Sequence, residues 1–283
     1  MSLLRHIRDC NAFTAECFLP LEHAGERVGL LRRDNAETLQ RFTDLFRIGT
    51  DRVTLDAGGG FEAVSAAVDA VVERLVAAGI VPRWRNEFFA VAPRWGAPAH
   101  FRLDRGAVPF FGTRAYGVHL NGYRRDGDRL NMWIGRRAAD KQVAPDKLDN
   151  LVAGGISCEH GLDETLAKEA EEEAGIPHRL IARAVPVSAV SYRMETPLGV
   201  RNDTLFIYDL DVPSDFVPRN TDGEIVAFTL MDATEVVARV RSGDDFKFNV
   251  NLVIADFAVR HGLVSAADGD YLELVAGLHQ PPA

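Results

Sequence analysis

Apolar residues recur at helical intervals through Met1–Gly49, first at the start and again over Asn35–Phe46, where Leu39, Phe42, Leu45 and Phe46 predict one buried face. Phe61–Ala78 reads as a long amphipathic helix ended by Gly79, and NEFFAVA (Asn86–Ala92) as a short strand. From Ala115 the period changes to two. Over Ala115–Arg124, Tyr116, Val118 and Leu120 fall on one side and His119, Asn121 and Tyr123 on the other. Arg129–Arg137 reads as the next strand, beyond the turn residues Asp126, Gly127 and Asp128. Strands are expected near Ala184–Arg193, Thr204–Asp211 and Ile225–Leu230, and two closing helices over Asp232–Arg241 and Asn249–His261. The pattern supports a small α+β N-terminal domain over residues 1–109, followed over 110–283 by a mixed sheet flanked by helices.

One segment carries chemistry. GGISCEHGLDETLAKEAEEEAGI (Gly154–Ile176) joins a glycine turn to a helix with recognisable ends. Asp163 predicts the N-cap, Glu164 adds an acid to the first turn, Gly175 closes the helix and Pro177 forbids its continuation. Leu162, Leu166, Ala170 and Ala174 make an apolar stripe, while Glu169, Glu172 and Glu173 stand at i, i+3 and i+4 on another face. Like charges so placed repel by a few tenths of a kcal/mol, roughly, per pair. A hard divalent ion with oxygen ligands neutralises them, and Mg2+ held by few carboxylates plus substrate phosphates suits that number of acids. A solvated acidic face relieved by Lys168 is the bland alternative. The glycines before the helix favour the ligand reading, because they let backbone approach a bound group closely.

The segment resembles a Nudix box, G-x5-E-x7-R-E-U-x-E-E-x-G-U with U aliphatic, and its second half matches from Lys168 to Ile176. Lys168 replaces the usual arginine, which keeps charge but loses the bidentate fork. The loop before the helix is about one residue short, so His160 or Gly161 falls where the first glutamate is usual. FFGTRAYGVHLNGY (Phe110–Tyr123), MWIGRRAADKQVAPDKLDNLVAGGI (Met132–Ile156), NTDGEIVAFTLM (Asn220–Met231) and DFKFNVNLVIADFAVRHG (Asp245–Gly262) look like Nudix proteins with an extra N-terminal domain, related to the Nudix part of fungal thiamine pyrophosphokinase fusions. The resemblance implies a Nudix α/β/α sandwich and Mg2+-dependent hydrolysis of a small-molecule diphosphate, with Mn2+ as a substitute ion. It further implies thiamine diphosphate, or damaged and analogue forms of it, as substrate. A ligand sensor without turnover, and a diphosphate isomerase on the same fold, are the alternatives; the latter requires a catalytic cysteine in a context that Cys158 lacks.

On that basis Glu169, Glu172 and Glu173 are expected metal ligands, with the Gly155 carbonyl added by resemblance. Glu172 and Glu173 are the leading catalytic candidates, and Glu224, in a turn before a strand, is a general-base or ligand candidate. Arg136, Arg137 and Lys141 are the basic candidates for a terminal phosphate. His119 is read as a hydrogen-bonded core histidine, and Trp84, Arg85, Phe88 and Phe89 as an aromatic and basic cluster suited to a heteroaromatic ring.

Composition narrows the class. A net charge of -9 disfavours a duplex nucleic-acid binder but not a small phosphorylated substrate, because metal ions and local arginines reverse the field inside a site. No apolar run is long enough to span a bilayer, and the opening MSLLRHIRDCNAF has scattered charges and no apolar signal region, so export is not expected. Three cysteines without metal-ligand spacing read as reduced thiols, so a cytoplasmic location is expected, with a homodimer left open.

Overall fold

The computed structural model describes residues 2–280, and the chain opens with α1 (Leu4–Cys10) before entering a region of strands. β1 (Phe18–His23) and β2 (Glu26–Arg32) form an antiparallel hairpin closed by Ala24 and Gly25, with φ of 52° and 80°. Two positive φ angles in a two-residue loop match the twist of the flanking strands. α2 (Arg33–Leu39), β3 (Phe46–Ile48), β4 (Val53–Leu55) and α3 (Gly60–Ala77) follow. The strands form one sheet in the order β2-β1-β4-β3, in which β1 and β4 run parallel.

This sheet corrects the reading of Met1–Gly49 as helical. The helix expected over Asn35–Phe46 stops at Leu39, a 3-10 turn covers Gln40–Phe42, and Phe46 begins β3. Leu39 and Phe46 are still buried in one core with α3, which lies where its apolar spacing predicts and buries Val64, Val68, Val71, Val72 and Leu75. β5 (Phe88–Val91) pairs with β6 (Phe101–Asp104) as a separate hairpin on the same core. Its base is set by Asp104, a buried carboxylate that accepts from the backbone N–H groups of Arg85, Asn86 and Gly106. The short α4 (Val108–Phe111) leads onward.

β7 (Arg114–Asp126) and β8 (Arg129–Arg137) form as the alternation predicts, and a seven-stranded mixed sheet is built around them. Its path is β11 (Val185–Thr196), β12 (Gly199–Asp211), β7, β8 and β13 (Ile225–Asp232), with β10 (Val152–Gly155) on β7 and β9 (Leu148–Asp149) on β8. β12 is parallel to β7, and the other pairings are antiparallel. On one face, Val118, Leu120, Tyr208 and Leu210 meet Leu166, Ala170 and Ala174 of α5 (Leu162–Ala174), with α6 (His178–Ile181) beside them. Burial of a leucine such as Leu166 is worth about 2 kcal/mol, which pins this helix to the sheet.

The other face carries Leu130, Met132, Ile134, Val190, Leu205 and Ile207. Against them pack α7 (Ala233–Ser242), α8 (Val250–Arg260) and α9 (Tyr271–Leu278). The second part is thus an α/β/α sandwich with a mixed sheet. α9 adds a third closing helix to the two expected. α1 joins this layer rather than the first core: Leu4 and Ile7 share a cluster with Leu274 and Leu278, and Arg8 pairs with Glu273 at 3.1 Å. Among the described residues no helix is long and apolar enough to cross a membrane.

Candidate active site

α5 begins one residue before Asp163, the expected cap. Gly161 occupies the cap position, and its N–H donates to Glu164 Oε2 at 2.8 Å. Asp163 instead accepts from the Tyr208 hydroxyl at 3.5 Å. At the other end Gly175, with φ of 62°, closes the helix as predicted, and its N–H returns to the Glu171 carbonyl. The loop before β13 is tied to that end: the N–H of Arg219 donates to Ala174 O, and Thr221 Oγ1 donates to the Glu171 and Glu172 carbonyls.

The three helix acids do not share one environment. Glu172 is exposed, and Glu169 is half-buried over the backbone of Gly154, where a Cβ would lie 2.2 Å from Glu169 Cγ. The ammonium of Lys168 stands between them, 3.4 Å from Glu169 Oε1 and 2.8 Å from Glu172 Oε2. Burial raises the Glu169 pKa, and Lys168 pulls it back. Glu173 is buried, and its Oε2 accepts from the N–H of Ala153 at 2.8 Å, which fastens α5 to β10. Burial pushes its carboxyl well above the ordinary range, against the hydrogen bond from Ala153.

The expectation of three equivalent facing carboxylates is therefore corrected. Among the described residues no group of three or more His, Cys, Asp or Glu side chains is assembled around one point. Two acids and a cation are. A side-chain ammonium bridging Glu169 and Glu172 marks a place where positive charge is stable. Two carboxylates with substrate oxygens and water are a sufficient donor set for a hard ion such as Mg2+.

Glu173 rests on a buried network that sequence reasoning missed. Lys247 Nζ lies 3.4 Å from Asp149 Oδ2, and Arg137 Nη1 lies 2.8 Å from the same oxygen. Burial alone would raise the Asp149 pKa, but Lys247, His119 and Arg137 hold it low. His119 is buried, as read, and its Nδ1 donates to Asn150 Oδ1 at 2.8 Å; burial pushes its pKa down to about 4.

The basic candidates are all engaged. Arg137 is corrected as a phosphate ligand: it is buried, and Nε, Nη1 and Nη2 donate to Ala144 O, Asp149 Oδ2 and Val143 O. It staples the loop between β8 and β9. Arg136 is exposed in a forked pair with Asp146, at 2.8 and 2.9 Å. Lys141 pairs with Glu224, whose backbone N–H donates to Asp222 Oδ1 in the turn before β13. No direct contact joins Glu224 to the helix acids in the described hydrogen bonds and ion pairs.

The first part of the chain reaches the glycine strand. Phe89 stands so close to Gly155 that a Cβ there would lie 2.7 Å from its Cζ, with Glu87 Oε1 at 3.7 Å. Cys158 N–H donates to Phe88 O at 2.7 Å. The aromatic cluster read from sequence is mostly structural: Phe89 is buried, Trp84 packs edge-on against Phe88, and Arg102 covers the Phe88 ring at 4.2 Å. Burial raises the Cys158 thiol pKa, the opposite of what a nucleophile needs. Glu87 adds like charge near Glu169 and was missed; a lone acid before a short strand carries no spacing signal. A separate cavity of about 340 Å³ shares no lining residue with the glycine strand, and its Arg260 and His261 are held by Asp209.

Residues 116–250 match the NUDIX domain, and residues 2–115 match a domain of unknown function (DUF4743). The chain is 40% identical over 270 residues to Nudix hydrolase 20, chloroplastic, of Arabidopsis thaliana, covering 91% of this chain and 71% of that protein. It is 41% identical over 266 residues to Nudix hydrolase 24, chloroplastic, of the same plant, with the same coverage of 91% and 71%. An uncharacterized protein of Saccharomyces cerevisiae is 32% identical over 217 residues, covering 71% of this chain and 62% of its own length. The chain belongs to the Nudix hydrolase family. It is an enzyme, a pyrophosphohydrolase.

Proposed function

We propose that this enzyme hydrolyses a small-molecule diphosphate with Mg2+ as its working ion and Mn2+ as an acceptable substitute. Thiamine diphosphate or an altered form of it is the proposed substrate. The observation that carries the reading is the Glu169–Glu172 pair with a cation held between its carboxylates above Gly154. Glu169 and Glu172 would hold the ion, with the Gly155 carbonyl as a further donor. When bound, such an ion neutralises phosphate charge and acidifies a water.

The protein's own groups do the positioning. Glu173, hydrogen-bonded to Ala153, keeps α5 and the glycine strand in register, so its proposed contribution is to positioning. Glu224 is the proposed acceptor for the proton of the attacking water, once Lys141 turns from it toward the terminal phosphate. Arg136, exposed beside that loop, is the second proposed phosphate cation. Water adds to one phosphorus, the bond from that phosphorus to the bridging oxygen breaks, and the leaving group carries the bridging oxygen away. Positioning and charge stabilisation supply most of the acceleration in such transfers.

The test is phosphate release from a panel of diphosphates in Mg2+, using thiamine diphosphate, its oxidised analogues, nucleoside diphosphate sugars and dinucleotide polyphosphates. Turnover of thiamine-type substrates, lost by about ten- to a thousandfold in Glu172→Gln, supports the reading. Wild-type turnover in both Glu169→Gln and Glu172→Gln overturns it.

A further inference from the structure

A second aromatic group lies beside the glycine strand. Trp95 sits in the loop between β5 and β6 and is 48% exposed, one of few large apolar side chains left so open among the described residues. It is not loose. Its ring centroid lies 4.6 Å from that of Tyr116 on β7 and 4.7 Å from that of Phe206 on β12. Val118 and Tyr208, their neighbours two residues along each strand, pack under α5, so the alternation puts both rings on that face of the sheet. Beneath Trp95 is a cavity of about 120 Å³ bounded by Phe89, Tyr116 and Ile156, with Arg94 and Arg114 among its lining residues. Arg114 also donates to Pro93 O at 2.7 Å, which holds the base of the loop.

We infer that this cavity is the subsite for a single, neutral heteroaromatic ring carried by the substrate, with Trp95 as its stacking partner. Three observations select that occupant. The walls are aromatic faces, to which a planar ring adds offset or tilted contacts. A dry cavity of roughly 150 Å³ admits one benzene ring, so the space here, about 120 Å³, suits one ring and crowds a fused pair. Two guanidinium groups in the lining disfavour a cationic ring or quaternary ammonium, which the aromatic walls alone would welcome. The place is also right. Phe89 lines the cavity and touches the Gly155 position, and Ile156 directly follows the glycine strand, so a ring held here lies beside that strand.

The assignment rests on the diphosphate reading for the identity of the ring's phosphate-bearing tail, and it makes Trp95 a specificity-determining residue. It also moves the ring contact from Trp84 and Phe88, which are spent on packing, to the exposed loop tip.

The experiment measures binding without turnover, on the full chain in the absence of divalent ions. Tryptophan fluorescence and calorimetry are followed during titration with cytidine 5′-monophosphate and uridine 5′-monophosphate as single-ring probes, adenosine 5′-monophosphate as a fused-ring probe and ribose 5-phosphate as a ring-free one. The expected result is saturable quenching by at least one single-ring probe, with affinity about tenfold above that for ribose 5-phosphate, the scale of one base–aromatic stack. Trp95→Ala should lose that preference, and Trp95→Phe should restore most of it by calorimetry. Equal affinity for ribose 5-phosphate and the single-ring probes overturns the inference, as does an unchanged preference in Trp95→Ala or tighter binding of the fused ring. Hydrolysis in Mg2+ is scored separately. Absence of diphosphate cleavage with the ring preference intact rejects the proposed reaction and leaves the subsite standing; cleavage without the preference does the reverse.

Discussion

Gly154 and Glu169 occupy space that only a glycine can share. A methyl group on Gly154 would lie 2.2 Å from Glu169 Cγ and 2.4 Å from its Cδ. Gly154→Ala should therefore fold, because alanine is no worse than glycine in a strand, while Glu169 is driven off its site. The expected loss in kcat is about a hundredfold, the effect of displacing a catalytic group by an ångström. Circular dichroism establishes folding and steady-state kinetics measures the loss. Wild-type kcat would mean that the position of Glu169 is immaterial.

Lys168 occupies the place proposed for the ion, so its removal should ease metal binding. The pair with Glu172 is exposed, at 43% and 49% of the two side chains, and such pairs are worth little. Lys168→Met is expected to lower the Mg2+ concentration for half-maximal thermal stabilisation by about two- to fivefold, matching the weak pair that is lost. A higher requirement in the variant would show that the ammonium belongs to the working site.

Arg136 and Arg137 should behave as different residues. Arg137→Ala leaves Asp149 without the closer of its two cations in a buried setting and is expected to cost about 3 kcal/mol or more, read by urea denaturation. Arg136→Ala breaks an exposed pair with Asp146 and should cost less than about 1 kcal/mol. An Arg137→Ala protein of undiminished stability with a raised KM would return that residue to phosphate binding.

His119 makes a prediction about pH. Its folded pKa, about 4, lies below the ordinary value of 6.5, so between them the unfolded chain binds more protons than the native one. Stability should therefore fall as pH drops from 6.5 toward 4, by about 3 kcal/mol in all if this group acted alone. Denaturation at pH 7, 5.5 and 4.5 measures the slope, which His119→Gln should flatten. An unchanged slope would place the acid sensitivity elsewhere.

Much of the second part was legible because its signals are local. Gly175 and Pro177 stop α5 whatever surrounds them, and Asp126–Gly127–Asp128 separates two strands whose alternation is plain. The N-terminal sheet was hidden for equally physical reasons. β2 is buried at four successive positions, Val28 to Leu31, so it shows no period of two. Its hairpin turn uses Ala24 where Asn or Asp would have announced a positive φ. At the site, helical spacing located Glu169 and Glu172, but it could not tell that Glu173 turns inward to Ala153 or that Arg137 is consumed by Asp149. Those depend on partners distant in sequence, and Trp95 emerges only when β7 and β12 bring Tyr116 and Phe206 beneath its loop.

The docking of α1 beside α9 has a temporal consequence. Leu4 and Ile7 are synthesised long before their apolar neighbours Leu274 and Leu278. Until then this segment has an oily side and nowhere to put it, a circumstance that invites chaperone capture or aggregation. Folding is finished when these two distant segments close upon each other, and the loss of either helix should be felt at both.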